Sequence, residues 1–248
     1  MIKVESIRKS FDGLEVLRGA TLEVAKGEIL ALIGRSGYGK SVLLKHVAGL
    51  MRPDRGRVLI DGKDIGSLRG KELEQVRSRF GFVFQNGALF DSLTVFENVA
   101  FPLKEKTKLS EEEIKSRVLS ILDEVGLRAT ENKYPAQISG GMIRRTALAR
   151  ALVRSPEIML FDEPTTGLDP IIGRTILNLI DSSHRRFGFT GIIVTHEIPK
   201  IFDIVQKVAM LHEGRILIVA SPQGILSSSD PVVQQFISGS IEGPIQYH

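Results

Sequence analysis

Hydrophobic positions along this chain alternate between two periods, and the switches between them outline the fold. Ile2–Ile7, Val16–Val24 and Glu28–Ile33 are short apolar runs separated by the turn signals Asp12-Gly13 and Lys26-Gly27, which predicts strands. Leu43, Leu44, Val47 and Leu50 then follow helical spacing, and Gly49 with Pro53 marks the stop. Arg57–Ile60 with the turn Asp61-Gly62, and Gly81–Phe84 ending at Gln85, predict two more strands. From Asn86 to Pro156 the pattern becomes mainly helical. Ser110-Glu111-Glu112-Glu113 forms a capping box there, and Ile114, Val118, Ile121, Leu122 and Val125 line one face. Strands return at Glu157–Phe161 and Gly191–Thr195, with a helix at Ile171–Phe187 between them. Val208–Leu211 and Arg215–Val219 flank Glu213-Gly214 as a closing hairpin. Such alternation predicts an α/β fold with a mainly parallel sheet, an N-terminal antiparallel β subdomain and an inserted helical subdomain. The expected division is a core of residues 1–85 and 157–222, a helical insertion at 86–156, and a Ser/Gly/Pro-rich tail at 223–248 with an apolar segment at Val232–Ile237.

Composition changes this picture little. The 248 residues are 42% hydrophobic and 25% charged, ordinary for a globular protein with a sizeable core. No uncharged apolar run approaches the roughly 20 residues that a membrane helix needs. Met1-Ile2-Lys3-Val4-Glu5 starts like a strand and not like a secretory signal. Zero cysteines exclude disulfides and thiolate metal sites and fit a cytosolic protein. The net charge of +4 is mild and spread along the chain, so it reads as a solvated basic surface.

The chemistry is concentrated at strand ends. Gly34-Arg35-Ser36-Gly37-Tyr38-Gly39-Lys40-Ser41 follows the apolar strand Glu28–Ile33 and fulfils the phosphate-loop pattern G-x-x-x-x-G-K-[ST]. Its glycines let backbone N–H groups surround an anion, Lys40 reaches the β/γ-phosphates, and Ser41 offers a hydroxyl to Mg²⁺. Ile158–Phe161 ends in the adjacent carboxylates Asp162 and Glu163. Beside a phosphate loop, Asp162 is expected to hold Mg²⁺ and Glu163 to orient or deprotonate the attacking water. Gln85 closes a strand where a polar group can contact the metal or its water, though by itself it marks only a boundary. His196 stands at another carboxyl-end position, where parallel sheets place ligands, although an isolated histidine is more often a hydrogen-bonded structural residue. Ser139-Gly140-Gly141 opens a basic helix and supplies a second anion-binding helix start. One triphosphate does not sit on two distant helix N-termini of one subunit, so a head-to-tail pair of chains is expected, each offering this element to the other's nucleotide.

Together these elements resemble an ATPase subunit of the ABC transporters, over residues 1–222. Phe11 matches the aromatic that stacks on adenine, Gly34–Ser41 the Walker A loop, Gln85 the Q-loop and Ile158–Glu163 the Walker B strand. Ile138-Ser139-Gly140-Gly141-Met142 matches the signature LSGGQ, with Met142 in place of Gln; Gly167-Leu168-Asp169 matches the D-loop, and His196 the switch histidine. The resemblance implies ATP and Mg²⁺ as cofactors, a RecA-like core, a second copy of the chain, and integral-membrane permease subunits at the cytoplasmic face of the inner membrane. The Met142 signature and the segment Gln85–Leu103 are similar to the Mla-type systems that move phospholipid with MCE-domain proteins. In that subfamily the tail (Gln235-Phe236-Ile237, Glu242-Gly243-Pro244-Ile245) implies docking on a neighbouring subunit or a small accessory protein. A small-solute importer, for an amino acid for example, shares every catalytic residue. A non-transport ATPase acting on DNA or ribosomes is disfavoured, since no coiled-coil insertion or Lys/Arg-rich arm is present and no nucleic-acid partner is expected.

Overall fold

The computed structural model describes residues 1–246. In chain order its elements are β1 (Ile2–Phe11), β2 (Leu14–Val24), β3 (Ile29–Ile33), α1 (Lys40–Val47), β4 (Arg55–Ile60), β5 (Lys63–Asp64), α2 (Gly70–Arg77) and β6 (Phe80–Val83). Then come α3 (Val95–Lys106), α4 (Glu111–Glu124), α5 (Gly140–Leu152), β7 (Ile158–Asp162), α6 (Pro170–Phe187) and β8 (Thr190–Val194). The chain ends with β9 (Lys207–His212), β10 (Arg215–Ala220), α7 (Pro222–Leu226) and α8 (Pro231–Ser238). It divides into two compact units, Met1–Arg77 with Thr190–His248, and Ser78–Phe189.

In the first unit, β1 is the centre of a 4-stranded antiparallel sheet of order β2-β1-β4-β5. Ile2 pairs with Val24 on one side and Ile60 on the other, and Ile2, Val4 and Ile7 are fully buried. A second sheet runs β10-β9-β3-β8 in this unit, with β3 parallel to both β8 and β9 and the β9–β10 hairpin antiparallel. Every residue of β3 and β8 is buried, which explains why their sequences are continuous apolar runs rather than alternating ones. α2 is an element that the apolar pattern does not announce. Its sequence is largely charged and buries only Val76, too thin a stripe to stand out.

In the second unit, β6 and β7 pair in parallel from Phe80↔Ile158 to Val83↔Phe161. α3 and α4 both begin with capping boxes, Thr94 with Glu97 and Ser110 with Glu113. The backbone N–H groups of Thr94 and Ser110 hold both carboxyls below the usual carboxylate range. The α/β organisation with an antiparallel N-terminal sheet and parallel strand pairs is the one expected.

Asn98 organises the loop between β6 and α3 and is fully buried. Its side-chain oxygen accepts from Phe90 N–H at 2.8 Å, and its amide nitrogen donates to the carbonyls of Phe90, Leu93 and Thr94, each at 3.0 Å. Asn98→Ala strands these groups, and leaving such buried groups unpaired costs about 2 kcal/mol. The urea midpoint of unfolding is expected to fall accordingly. An unchanged midpoint would mean that water replaces the amide.

Candidate nucleotide site

In the first unit, β3 delivers the chain into the loop Gly34–Ser41, and left-handed geometry begins at once. Gly34 has φ +143°, and a Cβ there would lie 2.2 Å from the backbone oxygen of Leu211, so only glycine fits against β9. Gly39 is the N-cap of α1, also left-handed, and no side chain caps the helix. A helix start without a side-chain cap is the kind of arrangement that suits an anion at a helix N-terminus. Lys40 is only 4% exposed. Its Nζ reaches back across the loop to donate to the carbonyls of Gly34 (2.8 Å) and Arg35 (2.9 Å), which holds the ammonium over the turn. Ser41 follows it at half-buried depth.

Arg35, Ser36 and Tyr38 fill the variable loop positions. Ser36 and Gly37 are exposed. Arg35 donates to the Tyr38 hydroxyl at 3.0 Å and places its guanidinium 5.3 Å from the ring centre. Tyr38 in turn stacks nearly parallel to His212, with ring centres 6.0 Å apart. Phe11 ends β1, is 40% exposed and has the Lys9 ammonium 5.5 Å from its ring centre. His196 is exposed two residues beyond β8, after a turn in which Thr195 Oγ1 accepts from Glu197 N–H at 3.0 Å.

In the second unit, β7 is buried along its whole length and carries Asp162 at its end, 6% exposed. Glu163 follows in the left-handed region, φ +49°. For a residue with a Cβ this backbone costs about 1 kcal/mol, and such strain collects where a side chain must be aimed. Its carboxylate is held from two sides: Gln85 Nε2 donates to it at 3.2 Å and the Thr166 hydroxyl at 2.9 Å. The carbonyl of Thr166 accepts from Arg144 Nη2 at 3.1 Å, so a polar chain runs from α5 to Glu163. Burial lowers the Arg144 pKa, although a guanidinium stays charged throughout the accessible range. Ser139 is the N-cap of α5 and accepts from Met142 N–H at 3.3 Å; Ser139 and Gly140 are exposed and Gly141 half-buried, which leaves this helix start open at the surface. Arg150 fixes the segment after Gln85 by donating to the carbonyls of Gly87 (2.7 Å) and Ala88 (2.8 Å).

The structure brings Gln85 and Glu163, each named from the sequence on separate grounds, into contact, and the sequence reading missed Thr166, Arg144 and Arg150. The signal for Thr166 was the turn Pro164-Thr165-Thr166-Gly167 directly after Glu163, which brings a hydroxyl back to the carboxylate. Arg144 and Arg150 read as helix surface and gave no such signal.

Residues 17–166 match the family model described as ABC transporter. The chain belongs to the ABC transporter family. Among curated relatives it is 43% identical over 98% of its length to the probable ribonucleotide transport ATP-binding protein mkl of Mycobacterium leprae, spanning 70% of that protein. It is 38% identical over 100% of its length to the intermembrane phospholipid transport system ATP-binding protein MlaF of Haemophilus influenzae, spanning 94% of that protein. The MlaF of Escherichia coli is 39% identical over 92% of this chain and 84% of its own. Among solved structures, the dimeric, post-hydrolysis ATP-binding cassette MJ0796 bound to ADP and Pi aligns with a TM-score of 0.82 at 33% identity, over 90% of this chain and 99% of that one. This ABC subunit binds ATP and hydrolyses it in support of transport. Among the described residues no helix is long and apolar enough to cross a membrane.

Thr166→Val removes a donor that holds Glu163. A steady-state ATPase assay is expected to show kcat reduced about fivefold with the KM for ATP unchanged, the size of one net hydrogen bond. An unchanged kcat would show that Gln85 alone suffices.

Proposed function

We propose that this chain is the ATPase subunit of an Mla-type phospholipid transporter, working as a peripheral subunit at the cytoplasmic face of the inner membrane. The observation that carries the reading is the match to MlaF of Haemophilus influenzae across 94% of that protein. The similarity to mkl, named for ribonucleotide transport, favours a second reading as a small-solute importer, and the experiment below separates the two.

In the proposed mechanism Phe11 stacks on adenine, while the amides of Gly34, Arg35, Ser36, Gly37, Tyr38 and Gly39 hold the phosphates with Lys40. Ser41, Asp162 and Gln85 supply hydroxyl, carboxylate and amide oxygens, a hard donor set that fits Mg²⁺. These residues would hold the ion, and the chemistry it would supply is neutralisation of phosphate charge. Glu163, fixed by Gln85 and Thr166, polarises the attacking water, and His196 steadies the γ-phosphate. Ser139, Gly140 and Gly141 come from a second copy, so that ATP closes a head-to-tail dimer and hydrolysis releases it. The functional division is a nucleotide-binding core (1–85 and 157–222), a signature-bearing helical subdomain (86–156) and a tail (223–248).

The permease is proposed to dock on the second unit, where Phe80, Phe84, Phe90, Phe101, Pro102 and Arg154 border a groove of about 350 Å³. Phe90 and Phe101 are 45% and 39% exposed and pack ring to ring at 4.9 Å, an apolar surface of the kind that marks a partner. Because Arg150 and Asn98 tie this wall to the segment after Gln85, movement at Gln85 is transmitted to the groove. An MCE-domain protein and a small accessory protein complete the proposed assembly.

Two experiments test this. Glu163→Gln should retain ATP binding and lose turnover by about 10² or more, the typical worth of a general base; near-normal hydrolysis would remove Glu163 from its role. Purification from solubilised membranes should bring down a permease with an MCE-domain protein, and the reconstituted complex should show ATPase activity that responds to phospholipid. Isolation with a soluble solute-binding protein, or stimulation by ribonucleotides, would overturn the lipid assignment in favour of a solute importer.

A further inference from the structure

The tail of the first unit folds back on its own chain and reaches the phosphate loop. α8 ends at Ser238, and the chain then reverses over residues 239–246 around one side chain, Gln235, which is 5% exposed. Gln235 Oε1 accepts from Ile245 N–H at 2.6 Å, and Nε2 donates to the carbonyls of Ile245 (3.1 Å) and Ser240 (3.3 Å). The amide thus takes the place of a strand partner for Ile245, whose own side chain is 3% exposed. Gly243 makes the reversal possible: its φ is +151°, and a Cβ there would lie 2.4 Å from Gln235 Oε1. The consequence is at the next residue, where the carbonyl of Gln246 accepts from Arg35 Nη1 at 2.8 Å.

Arg35 is the second residue of the phosphate loop, and three further ties bind it within that loop, two through its guanidinium and one through its carbonyl. It donates to the Tyr38 hydroxyl and lies over the Tyr38 ring, while its own carbonyl accepts from Lys40. Tyr38 is anchored against His212. A bond from the tail to Arg35 therefore bears on both variable side chains of the loop and on the carbonyl that holds Lys40. A loop of three glycines has many accessible conformations, and fixing it before ligand arrives removes part of the entropy cost of binding.

We propose that the hook of residues 239–246, closed by Gln235, is a positioning element that pre-sets the phosphate loop for ATP through the Arg35–Gln246 contact. Gln235 is then a positioning residue for nucleotide affinity, although it lies outside every motif of the site. The proposal rests on the reading of Gly34–Ser41 as the ATP loop.

The experiment measures binding of a fluorescent ATP analogue and steady-state ATPase kinetics for the full chain, for Gln235→Leu and for a chain ending at Gly239. Both altered proteins are expected to show Kd and KM for ATP raised about fivefold, the worth of one net hydrogen bond, with kcat retained. Hydrogen exchange of the amides of residues 34–41 in the nucleotide-free protein should be faster in both. In an Arg35→Ala background, Gln235→Leu should add no further loss of affinity, because the two changes break one connection. If the shortened chain does not fold, Ile245→Ala thins the buried anchor without touching Gln235 and is measured in its place. An unchanged or lower Kd overturns the proposal. So does a loss of thermal stability or kcat at constant Kd, which would make the hook a tie for α8 alone. Lys40→Ala separates this from the reading beneath it: if it too leaves affinity unchanged, the loop assignment fails, whereas lost binding there with unaltered hook variants sinks the hook alone.

Discussion

A helix that starts without a side-chain cap sets the terms for the first unit. Gly39 supplies no side-chain cap to α1, and a helix start of this kind presents backbone amides suited to an anion. Leaving them so is tolerable only because the turn before them is held from outside. The backbone of β9 presses on Gly34 so closely that no Cβ fits, Lys40 bridges two loop carbonyls, and Tyr38 rests on His212. The buried parallel strands β3, β8 and β9 provide the rigid floor from which the loop rises. The loop's shape is thus set by backbone geometry, and the side chains serve to hold that geometry, which is what the proposed phosphate site requires.

The second unit solves a different problem, that of aiming one carboxylate. Glu163 sits in a left-handed backbone conformation that carries strain, and two donors from separate segments, Gln85 and Thr166, fix its orientation. Each donor is itself anchored. The carbonyl of Thr166 is tied to Arg144 on α5, and the segment after Gln85 is tied to Arg150 and organised by Asn98. A shift in the segment beside the aromatic groove therefore has a polar route to the residue proposed to activate water. For an ABC subunit this is a physical connection between the proposed docking wall and the carboxylate proposed to act on water.

Much of the site was legible because its requirements are local. The phosphate loop needs glycines, a lysine and a hydroxyl within eight consecutive positions, and Asp162 with Glu163 needs only a strand that ends where it does. The capping box at Ser110 was readable for the same reason, and the structure forms it. Contacts between distant positions left no such trace. Gln85 and Glu163 lie 78 residues apart and their hydrogen bond has no local pattern. Arg150, 63 residues from the carbonyl of Gly87, looks from the sequence like any basic residue on a helix.

The sequence by itself determined the α/β class, the strand-end motifs and membership in the ABC transporter family, because these depend on hydrophobic period and on short motifs whose members lie together along the backbone. Only the tertiary structure decided how the loop and the carboxylate are steadied: Thr166 and Gln85 on Glu163, Asn98 inside its loop, and the tail closing through Gln235 onto Arg35, 211 residues from its partner Gln246. These are bonds between side chains and backbone groups far apart in the chain. A hydrogen bond of that kind needs only a donor and an acceptor brought into register by the fold, and neither partner has to be an unusual residue type in the sequence.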